Sequence, residues 1–389
     1  MRIVHVCLAN FYIEGWGYQE NILTKYHARD GHEVLVLTSE RMFSVPGPNA
    51  QKQERDYLNP NGVHVKVLKY SDRYRWGARF RDYENVYGEL EAFKPDVVFV
   101  HGAQFIAFKE VVKYCKDHRS IKFYIDQHAD YYNTPVNTLK QKLVARYMYG
   151  HWIRKAAKLA RKFWGVTPWR CQYLQEVYGV PKDKIGLLVM GGDDEEIHLE
   201  QAGQLRQEVR QTLGIPQDAF VVVTGGKIDR TKNIHLLAQA VRELNREDLH
   251  LIIFGQPNKE MEQTMAEFGK SVRCHTIGWV DASRVYDYYL ASDLAVFPGT
   301  HSVLWEQACA CGLPLIVKDW EGMRHVCLNG NARFLKEDSV AEIQRNLLQL
   351  LQTPGEYETM KTAAYACRKE FLYSDIARRA IEQETQTVG

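Results

Sequence analysis

The sequence has 389 residues, 45% of them hydrophobic and 25% charged, which allows a large core and gives enough length for two domains. The formal net charge is only +2, so the composition gives no indication of nucleic-acid binding. The eight cysteines form no CxxC pair, and no apolar run has the pattern of a secretory signal or the length of a membrane span. These features predict a cytoplasmic protein with reduced thiols.

Short apolar runs alternate with helix-spaced segments along the chain, which predicts an α/β fold with mainly parallel, doubly wound sheets. Proline, glycine and acidic residues interrupt this pattern between Val180 and Glu196. We therefore expect a Rossmann-like domain over 1–192 and another over 193–372, facing each other across a cleft at the carboxyl ends of their strands. The predicted strands are 3–8, 33–38, 63–68, 96–100, 122–126, 163–167, 220–224, 249–254, 272–276, 293–297 and 315–317, and the predicted helices include 18–29, 82–93 and 105–118.

A basic, glycine-containing loop, GGKIDRTKN at 225–233, follows one predicted strand and leads into a helix. Lys227, Arg230 and Lys232 place cations beside a helix start that already favours an anion, and Gly226 lets the backbone approach a ligand closely. This arrangement predicts a diphosphate site, although it lacks the spacing of a P-loop. A solvated basic loop is the alternative reading.

The segment 293–317 reads as a strand, a turn, a helix over 302–311 and a further strand. Glu306 therefore lies near the start of a helix at a strand end, where a nucleotide phosphate or ribose would fit. A first-turn glutamate that only favours the helix dipole is the alternative.

Together these two segments resemble the retaining glycosyltransferases of family 4, which have the GT-B fold. The resemblance continues through His275 to Val280 and Ala308 to Pro314, and through family-like stretches at 31–34, 178–190 and Gly192-Asp193. It implies transfer of a sugar, with retention, from a nucleotide diphosphate sugar to a hydroxyl of a glycan or lipid-linked glycan, in polysaccharide, glycolipid or cell-envelope biosynthesis. UDP is favoured as the nucleotide and GDP is the second choice.

The residue pattern and the resemblance together give a set of candidate site residues. His128, which follows the strand 122–126, resembles the family histidine that contacts the donor sugar, and the loop 15–20 resembles the family's glycine-bearing loop. No DxD sequence occurs, so we expect neither a metal nor a cofactor apart from the nucleotide sugar. The candidate catalytic residues are His128, Lys227 and Lys232; the donor-binding candidates are Gly17, Gly226, Arg230, Ile277, Val280, His301, Ser302, Val303 and Glu306; and the acceptor-side candidates are Trp16, Tyr18 and Asp130.

The sequence departs from the family pattern at two positions. Pro298 stands eight positions before Glu306, where the family has its first glutamate, and Lys227 replaces an arginine. Thr300, His301 and Ser302 are candidate substitutes for the missing carboxylate. The departure keeps two alternatives open: a non-catalytic GT-B module that binds a nucleotide or a partner, and a sugar-nucleotide epimerase.

Two basic segments also contain aromatic residues. The segment 139–164 has eight Lys or Arg residues and no Asp or Glu, and 73–81 forms a second cluster. They predict an anionic membrane surface as a partner, with the protein peripheral on the inner face of the membrane. The alternative is an ordinary helix packed on the sheet. The resemblance further implies that a C-terminal helix over 373–389 packs back on the N-terminal domain.

Overall fold

The computed structural model describes residues 1–10, 12–44, 54–72 and 80–382. The chain forms two compact units, one consisting of Met1–Val189 together with a C-terminal segment that begins at Ser374, and the other of Met190–Tyr373. Each unit contains one sheet whose strands alternate along the chain with helices. The α/β class and the two Rossmann-like sheets predicted from the sequence are confirmed.

The first unit has an eight-stranded sheet in the order β3-β4-β2-β1-β5-β6-β7-β8. All neighbouring strands are parallel except the pair β3 and β4. The central strands are buried along nearly their whole length, which explains their continuous apolar sequences. The strands are β1 (Arg2–Cys7), β2 (Glu33–Ser39), β3 (Asp56–Leu58), β4 (His64–Leu68), β5 (Val97–His101), β6 (Lys122–Gln127), β7 (Lys162–Gly165) and β8 (Ile185–Leu187).

The helices of this unit connect the parallel strands. The basic segment predicted at 139–164 is a short α-helix, a π-helical stretch at Val144–Tyr149, a second α-helix and the start of β7. The helices are α1 (Gln19–Arg29), α2 (Val86–Phe93), α3 (Phe108–Asp117), α4 (Leu139–Leu143), α5 (Gly150–Ala157) and α6 (Pro168–Glu176).

The second unit has a six-stranded, all-parallel sheet in the order β11-β10-β9-β12-β13-β14. Its strands are β9 (Phe220–Gly225), β10 (Leu249–Phe254), β11 (Cys274–Gly278), β12 (Leu294–Phe297), β13 (Leu315–Lys318) and β14 (Ala332–Leu335). Its helices are α7 (Ala202–Leu213), α8 (Ile234–Leu244), α9 (Glu262–Phe268), α10 (Val285–Leu290), α11 (Leu304–Ala310), α12 (Val340–Gln352) and α13 (Pro354–Cys367).

The last described helix, α14 (Tyr373–Ala380), lies almost entirely in the first unit. The side chain of Trp164 donates to the Ala380 carbonyl at 2.9 Å, and the guanidinium of Arg378 lies 3.2 Å from Asp30. These contacts tie the end of the chain to β7 and to the end of α1.

Three strands have no counterpart in the sequence prediction: β3, β8 and β14. Each has only three or four residues and lies at a sheet edge, so none carries a long apolar run. The helix predicted over 302–311 is also shorter than expected, because α11 begins at Leu304 and leaves Ser302 and Val303 in the preceding turn.

Candidate functional site

The sheet of the second unit has a switch point between β9 and β12. From β9 the chain passes to β10 on one side, whereas β12 passes to β13 on the other. In an open parallel sheet, the loops that follow two such strands diverge and leave a ligand crevice at the carboxyl ends. Here these loops are 226–233 and 298–303, the two segments that the sequence singles out.

The two loops contact each other through their backbones. Thr300 N–H donates to the Thr231 carbonyl at 3.0 Å, and the side-chain amide Nδ2 of Asn233 donates to the Pro298 carbonyl at 3.1 Å. A Cβ on Gly299 would lie 2.3 Å from the Thr231 carbonyl oxygen, so only glycine allows this approach. Pro298, which replaces the glutamate of the family pattern, is therefore part of the contact that joins the loops.

Lys232 fixes the same junction with its side chain. Its ammonium donates to the carbonyls of Thr300 and His301 at 2.8 and 3.1 Å. Burial lowers the pKa of Lys232, and an incoming anion would favour its charged form. An ammonium has three N–H donors, so one is left to meet a ligand.

Lys227 and Arg230 lie on the open side of the loop 226–233. The Lys227 side chain is 74% exposed and its Nζ lies 3.2 Å from Asp229 Oδ2, while Arg230 pairs with Glu260. Gly226 has a φ of +104°, which favours glycine. Its carbonyl oxygen lies close to Gly255, and a Cβ added to Gly255 would be only 1.9 Å from that oxygen. The backbone after β9 is thus held against the end of β10, with Lys227 projecting outward.

Glu306 is completely buried in the first turn of α11, where it is flanked by two histidines. His301 Nε2 and His325 Nε2 each lie 2.7 Å from Glu306 Oε1, the distance of a donated hydrogen bond. Burial alone would raise the pKa of Glu306, but the two histidines outweigh it and lower the pKa to about 2. The second carboxylate oxygen, Oε2, has no hydrogen-bond partner among the described residues.

His325 is a component of this site that the sequence analysis missed. It lies in a short 3-10 turn, Arg324–Val326, between β13 and β14, and no motif marks it. Its contact with Glu306 spans 19 positions of sequence, so only the fold brings the two together.

The remaining donor candidates in this unit follow strand ends at the same edge of the sheet. Ile277 lies in β11 and Val280 just beyond it, and both are half-buried. Ser302 and Val303 are half-buried in the turn before α11. All four lie at or beyond the carboxyl ends of parallel strands, as a nucleotide site on this fold requires.

In the first unit, the corresponding switch point lies between β1 and β5. The loop after β1 carries Trp16 and Tyr18, whose rings meet edge to face with centroids 5.0 Å apart, with Gly17 between them. Tyr18 is about half exposed and directly precedes α1. The predicted acceptor-side aromatics are therefore at a strand end and accessible.

His128 follows β6 and remains partly exposed at 22% of its side chain. Its Nε2 lies 3.3 Å from Oδ1 of the fully buried Asp126. Burial would lower the pKa of His128, but the Asp126 carboxylate outweighs it and raises the pKa. A histidine that favours its charged form at a strand end suits an electronegative ligand.

Asp130 shapes the turn that follows β6. Its Oδ1 accepts the backbone N–H groups of Tyr132 and Asn133 at 3.0 and 2.8 Å, and its Oδ2 pairs with Arg170 at 3.1 Å. Both oxygens are engaged in shaping the turn after β6, so an acceptor contact through Asp130 stays a prediction.

Two groups among the described residues bring three metal-type ligand atoms within 4.8 Å of one another: Glu20, His101 and His128, and His301, Glu306 and His325. His101 uses both ring nitrogens in hydrogen bonds to His5 and Asp126. In the second group, both histidines point at one oxygen at hydrogen-bond distance. We assign the second group as a hydrogen-bond network; in the first group His101 has no ring nitrogen left for another ligand, and metal independence stays a prediction.

Comparison with known protein families agrees with this architecture. The family described as Glycosyltransferase Family 4 matches residues 22–196, and the family described as Glycosyl transferases group 1 matches residues 206–366. The two matches cover most of both units and include the loop 226–233 and Glu306. The chain belongs to the family 4-type glycosyltransferases with the GT-B fold.

Individual relatives are distant. The chain is 23% identical over 225 residues to D-inositol 3-phosphate glycosyltransferase of Xylanimonas cellulosilytica, covering 55% of this chain and 54% of the relative. It is 22% identical over 195 residues to lipopolysaccharide 1,2-N-acetylglucosaminetransferase of Salmonella typhimurium, covering 46% and 51%. The chain thus spans about half the length of these curated relatives. HepE of Anabaena in complex with UDP shares the fold, with a TM-score of 0.68, 16% identity, and 98% and 99% of the two chains covered.

Proposed function

We propose that this protein transfers a sugar from a nucleotide diphosphate sugar to a hydroxyl of a glycan or lipid-linked glycan, with retention of anomeric configuration. The observation that carries the proposal is the junction of the loops 226–233 and 298–303, where Lys232 joins two loops at a switch point. A family 4-type GT-B chain with a cationic junction at that point has the features required to hold a diphosphate.

The proposed reaction depends on cations that are positioned to stabilise the leaving diphosphate. The bond between the anomeric carbon and the diphosphate oxygen breaks, and the acceptor oxygen forms the new bond to that carbon. Lys227 and Lys232 stabilise the negative charge on the departing diphosphate, and a phosphate oxygen takes the hydroxyl proton. His128 orients the donor sugar, and no metal is required.

The donor nucleotide is proposed to be UDP, with GDP as the second choice. Support comes from the relationship to HepE, which was solved with UDP. Glu306 is proposed to bind the ribose hydroxyls through Oε2, because Oε1 already accepts from His301 and His325; Oε2 is buried in this structure, so the contact requires the side chains that cover it to move. Ile277 and Val280 flank the base.

The acceptor is proposed to reach the protein at an anionic membrane surface. A groove of the first unit lies between α3 and α5 and is lined by six cationic side chains: Lys109, Lys113, Lys116, Arg119, Lys155 and Lys158. The ammonium of Lys155 lies 4.3 Å from the ring centre of Trp152 in the same groove. None of the described helices is long and apolar enough to cross a membrane. Residues 73–79 of the second predicted cluster lie outside the described residues, and the guanidinium of Arg81 donates to the Ala9 carbonyl.

Vesicle sedimentation tests the membrane surface. We expect the double variant Lys113→Gln, Lys155→Gln to bind vesicles containing anionic lipid about 30-fold more weakly, since each basic residue that is neutralised loses about 1 kcal/mol. The control is the same type of substitution at Lys270, which is an exposed lysine of the other unit. Equal binding by the wild type and the double variant, or binding that salt does not weaken, would refute this surface.

Two other functions are compatible with the fold. A non-catalytic GT-B module remains an alternative because Pro298 replaces the first glutamate of the pattern. A sugar-nucleotide epimerase is another, since it would use the same donor site without an acceptor. Fold alone does not decide between them.

Product analysis by NMR and mass spectrometry separates the three functions. The protein is incubated with UDP- and GDP-sugars, with and without glycan and lipid-linked acceptors. Transfer or slow donor hydrolysis, with no isomerised donor, is the expected result. An isomerised sugar nucleotide would assign an epimerase, and an unchanged donor despite tight nucleotide binding would assign the binding module.

A further inference from the structure

The core of the first unit contains an unbroken chain of hydrogen bonds through three buried histidines. His27 Nε2 lies 2.8 Å from the Ala377 carbonyl oxygen, and His27 Nδ1 lies 2.9 Å from His5 Nε2. His5 Nδ1 lies 2.9 Å from His101 Nε2, and His101 Nδ1 lies 2.7 Å from Asp126 Oδ2. All three imidazoles and the carboxylate are at most 1% exposed. Every ring nitrogen of the three histidines therefore takes part.

The fold explains why these residues meet. His5 lies on β1 and His101 on the neighbouring strand β5, while Asp126 is the register partner of His101 on β6. His27 comes from α1 and Ala377 from α14. The hydrogen-bond chain thus crosses the three neighbouring strands β1, β5 and β6, and ends at a backbone carbonyl of α14.

The number of protons in this chain follows from its two ends. Four hydrogen bonds need four hydrogens, one in each. The Ala377 carbonyl oxygen and an ionised Asp126 carboxylate carry no hydrogen, and each neutral imidazole carries one N–H, so these groups supply only three hydrogens. Closing all four bonds therefore requires one additional proton.

We propose that His27, His5, His101 and Asp126 form a proton-holding chain with one proton more than three neutral imidazoles and a carboxylate, and that the chain positions His128. All four bonds can be closed with the additional proton on any of the three imidazoles or on Asp126, and we place it on His101, the imidazole in direct contact with the carboxylate. His27 donates from Nε2 to the Ala377 carbonyl, His5 donates from Nε2 to His27, and His101 donates from both nitrogens, to His5 and to Asp126.

The electrostatics of the individual groups agree with this assignment. Burial lowers the pKa of His5 well below its ordinary value, and the neighbouring His27 and His101 lower it further. Burial likewise lowers the pKa of His27 to about 4. Burial would raise the pKa of Asp126, but His101 and His128 hold it below its ordinary value. The other titratable groups facing the chain and His128 are Cys7, Glu20, Asp30, His32 and Arg170.

The functional part of the inference concerns Asp126 and rests on the role proposed for His128. Oδ2 of Asp126 is held by His101, and Oδ1 accepts Gly102 N–H at 3.2 Å and faces His128 Nε2 at 3.3 Å. This contact is an ion pair, and His128 Nε2 has no hydrogen-bond partner among the described residues, so the fixed carboxylate acts on the His128 ring through its charge and draws Nε2 inward. Asp126 and the three buried histidines are positioning residues, whereas His128 alone meets the ligand.

Long-range proton–nitrogen NMR of the ¹⁵N-histidine protein tests the proton count directly. We expect His101 to be doubly protonated and His5 and His27 to be neutral with hydrogen on Nε2. His250 and His275 form a partly buried pair in the second unit, with His250 Nδ1 3.1 Å from His275 Nε2. Among the described residues no hydrogen bond joins this pair to a carboxylate, so both its rings are expected to be neutral. A neutral His101 in the wild-type protein would overturn the proposal.

The variant His5→Phe distinguishes the chain from a simple ion pair. It interrupts the chain but leaves His101 and Asp126 in contact, so His101 Nε2 no longer needs a hydrogen. We expect His101 to become neutral with its hydrogen on Nδ1, whereas an isolated ion pair would keep it doubly protonated and would overturn the proposal. His250→Phe is the control and should leave the signals of His101 unchanged.

A kinetic readout tests the positioning role. We expect Asp126→Asn to lower kcat for donor hydrolysis by up to roughly 100-fold and to leave the KM for the donor unchanged. The reason is that a displacement of about 1 Å at a reacting centre can cost this much in rate. An unchanged kcat would remove the positioning role. If the wild-type protein turns over no nucleotide sugar, the proposed function fails, while the NMR result still decides whether the chain holds its proton.

Discussion

Lys232→Ala is expected to lower kcat about 100- to 1,000-fold, the usual loss when one group that stabilises developing negative charge is removed. The ammonium of Lys232 is held by the carbonyls of Thr300 and His301, so it is already in place before the diphosphate departs. The same hydrogen bonds join two loops, and their loss is expected to cost about 1–3 kcal/mol of stability. Initial rates of donor hydrolysis and thermal unfolding measure the two effects.

Lys227→Ala separates charge stabilisation from loop structure. The Lys227 side chain is 74% exposed and pairs only loosely with Asp229, so its removal should leave the melting temperature unchanged while kcat falls. Lys270→Ala, an exposed lysine paired with Glu267, is the matched control and should change neither quantity. Wild-type kcat in both Lys227→Ala and Lys232→Ala would refute the proposed diphosphate site.

Glu306→Ala is expected to have the largest effect on stability. It leaves His301 and His325 without their buried charged acceptor, and loss of one partner from such a pair costs about 3–5 kcal/mol. Glu306→Gln keeps the size of the side chain but removes the charge, so it should fold and bind the nucleotide at least tenfold more weakly. Thermal unfolding and nucleotide titration measure these effects, with Glu267→Gln as an exposed control.

The pH dependence of this effect has a definite sign. The pKa of Glu306 falls to about 2 in the folded protein, below its ordinary value of 4.5. Its contribution, roughly 3 kcal/mol, is therefore fully present above about pH 4.5 and is lost as the pH falls through 2. The stability difference between the wild type and Glu306→Gln should shrink over that range. A difference that stays constant from pH 7 to pH 3 would contradict the assigned charge.

The elements that the sequence predicts well are those whose signal is local. The buried parallel strands β1, β5, β9 and β10 are continuous apolar runs, and the loop 226–233 has glycines and cations at a strand end. Short edge strands such as β3 have neither feature, because one side of the strand is unpaired and two of its three residues are exposed. Their pairing depends on the rest of the sheet.

The parts of the site that the sequence did not predict depend on contacts between distant segments. His325 contacts Glu306 although the two residues are 19 positions apart in sequence. His27, His5 and His101 meet only because β1 and β5 are neighbouring strands and α1 packs against them. A histidine inside an apolar strand, such as His5, is the one local signal available, and it names no partner. The basic groove likewise combines α3 with α5, although the sequence indicated only the α5 side.

Thermal unfolding of the wild type and Lys232→Ala against UDP, GDP, ADP, CMP and their sugar conjugates, with and without Mg²⁺, tests the central claim most directly. A ligand that binds the folded state at 100 times its Kd adds about 2.7 kcal/mol of stability. We predict that one nucleotide diphosphate and its sugar conjugate stabilise the wild type selectively, equally well without Mg²⁺, and that Lys232→Ala loses most of this stabilisation. No stabilisation by any nucleotide, or equal stabilisation of both proteins, would contradict the proposed donor site.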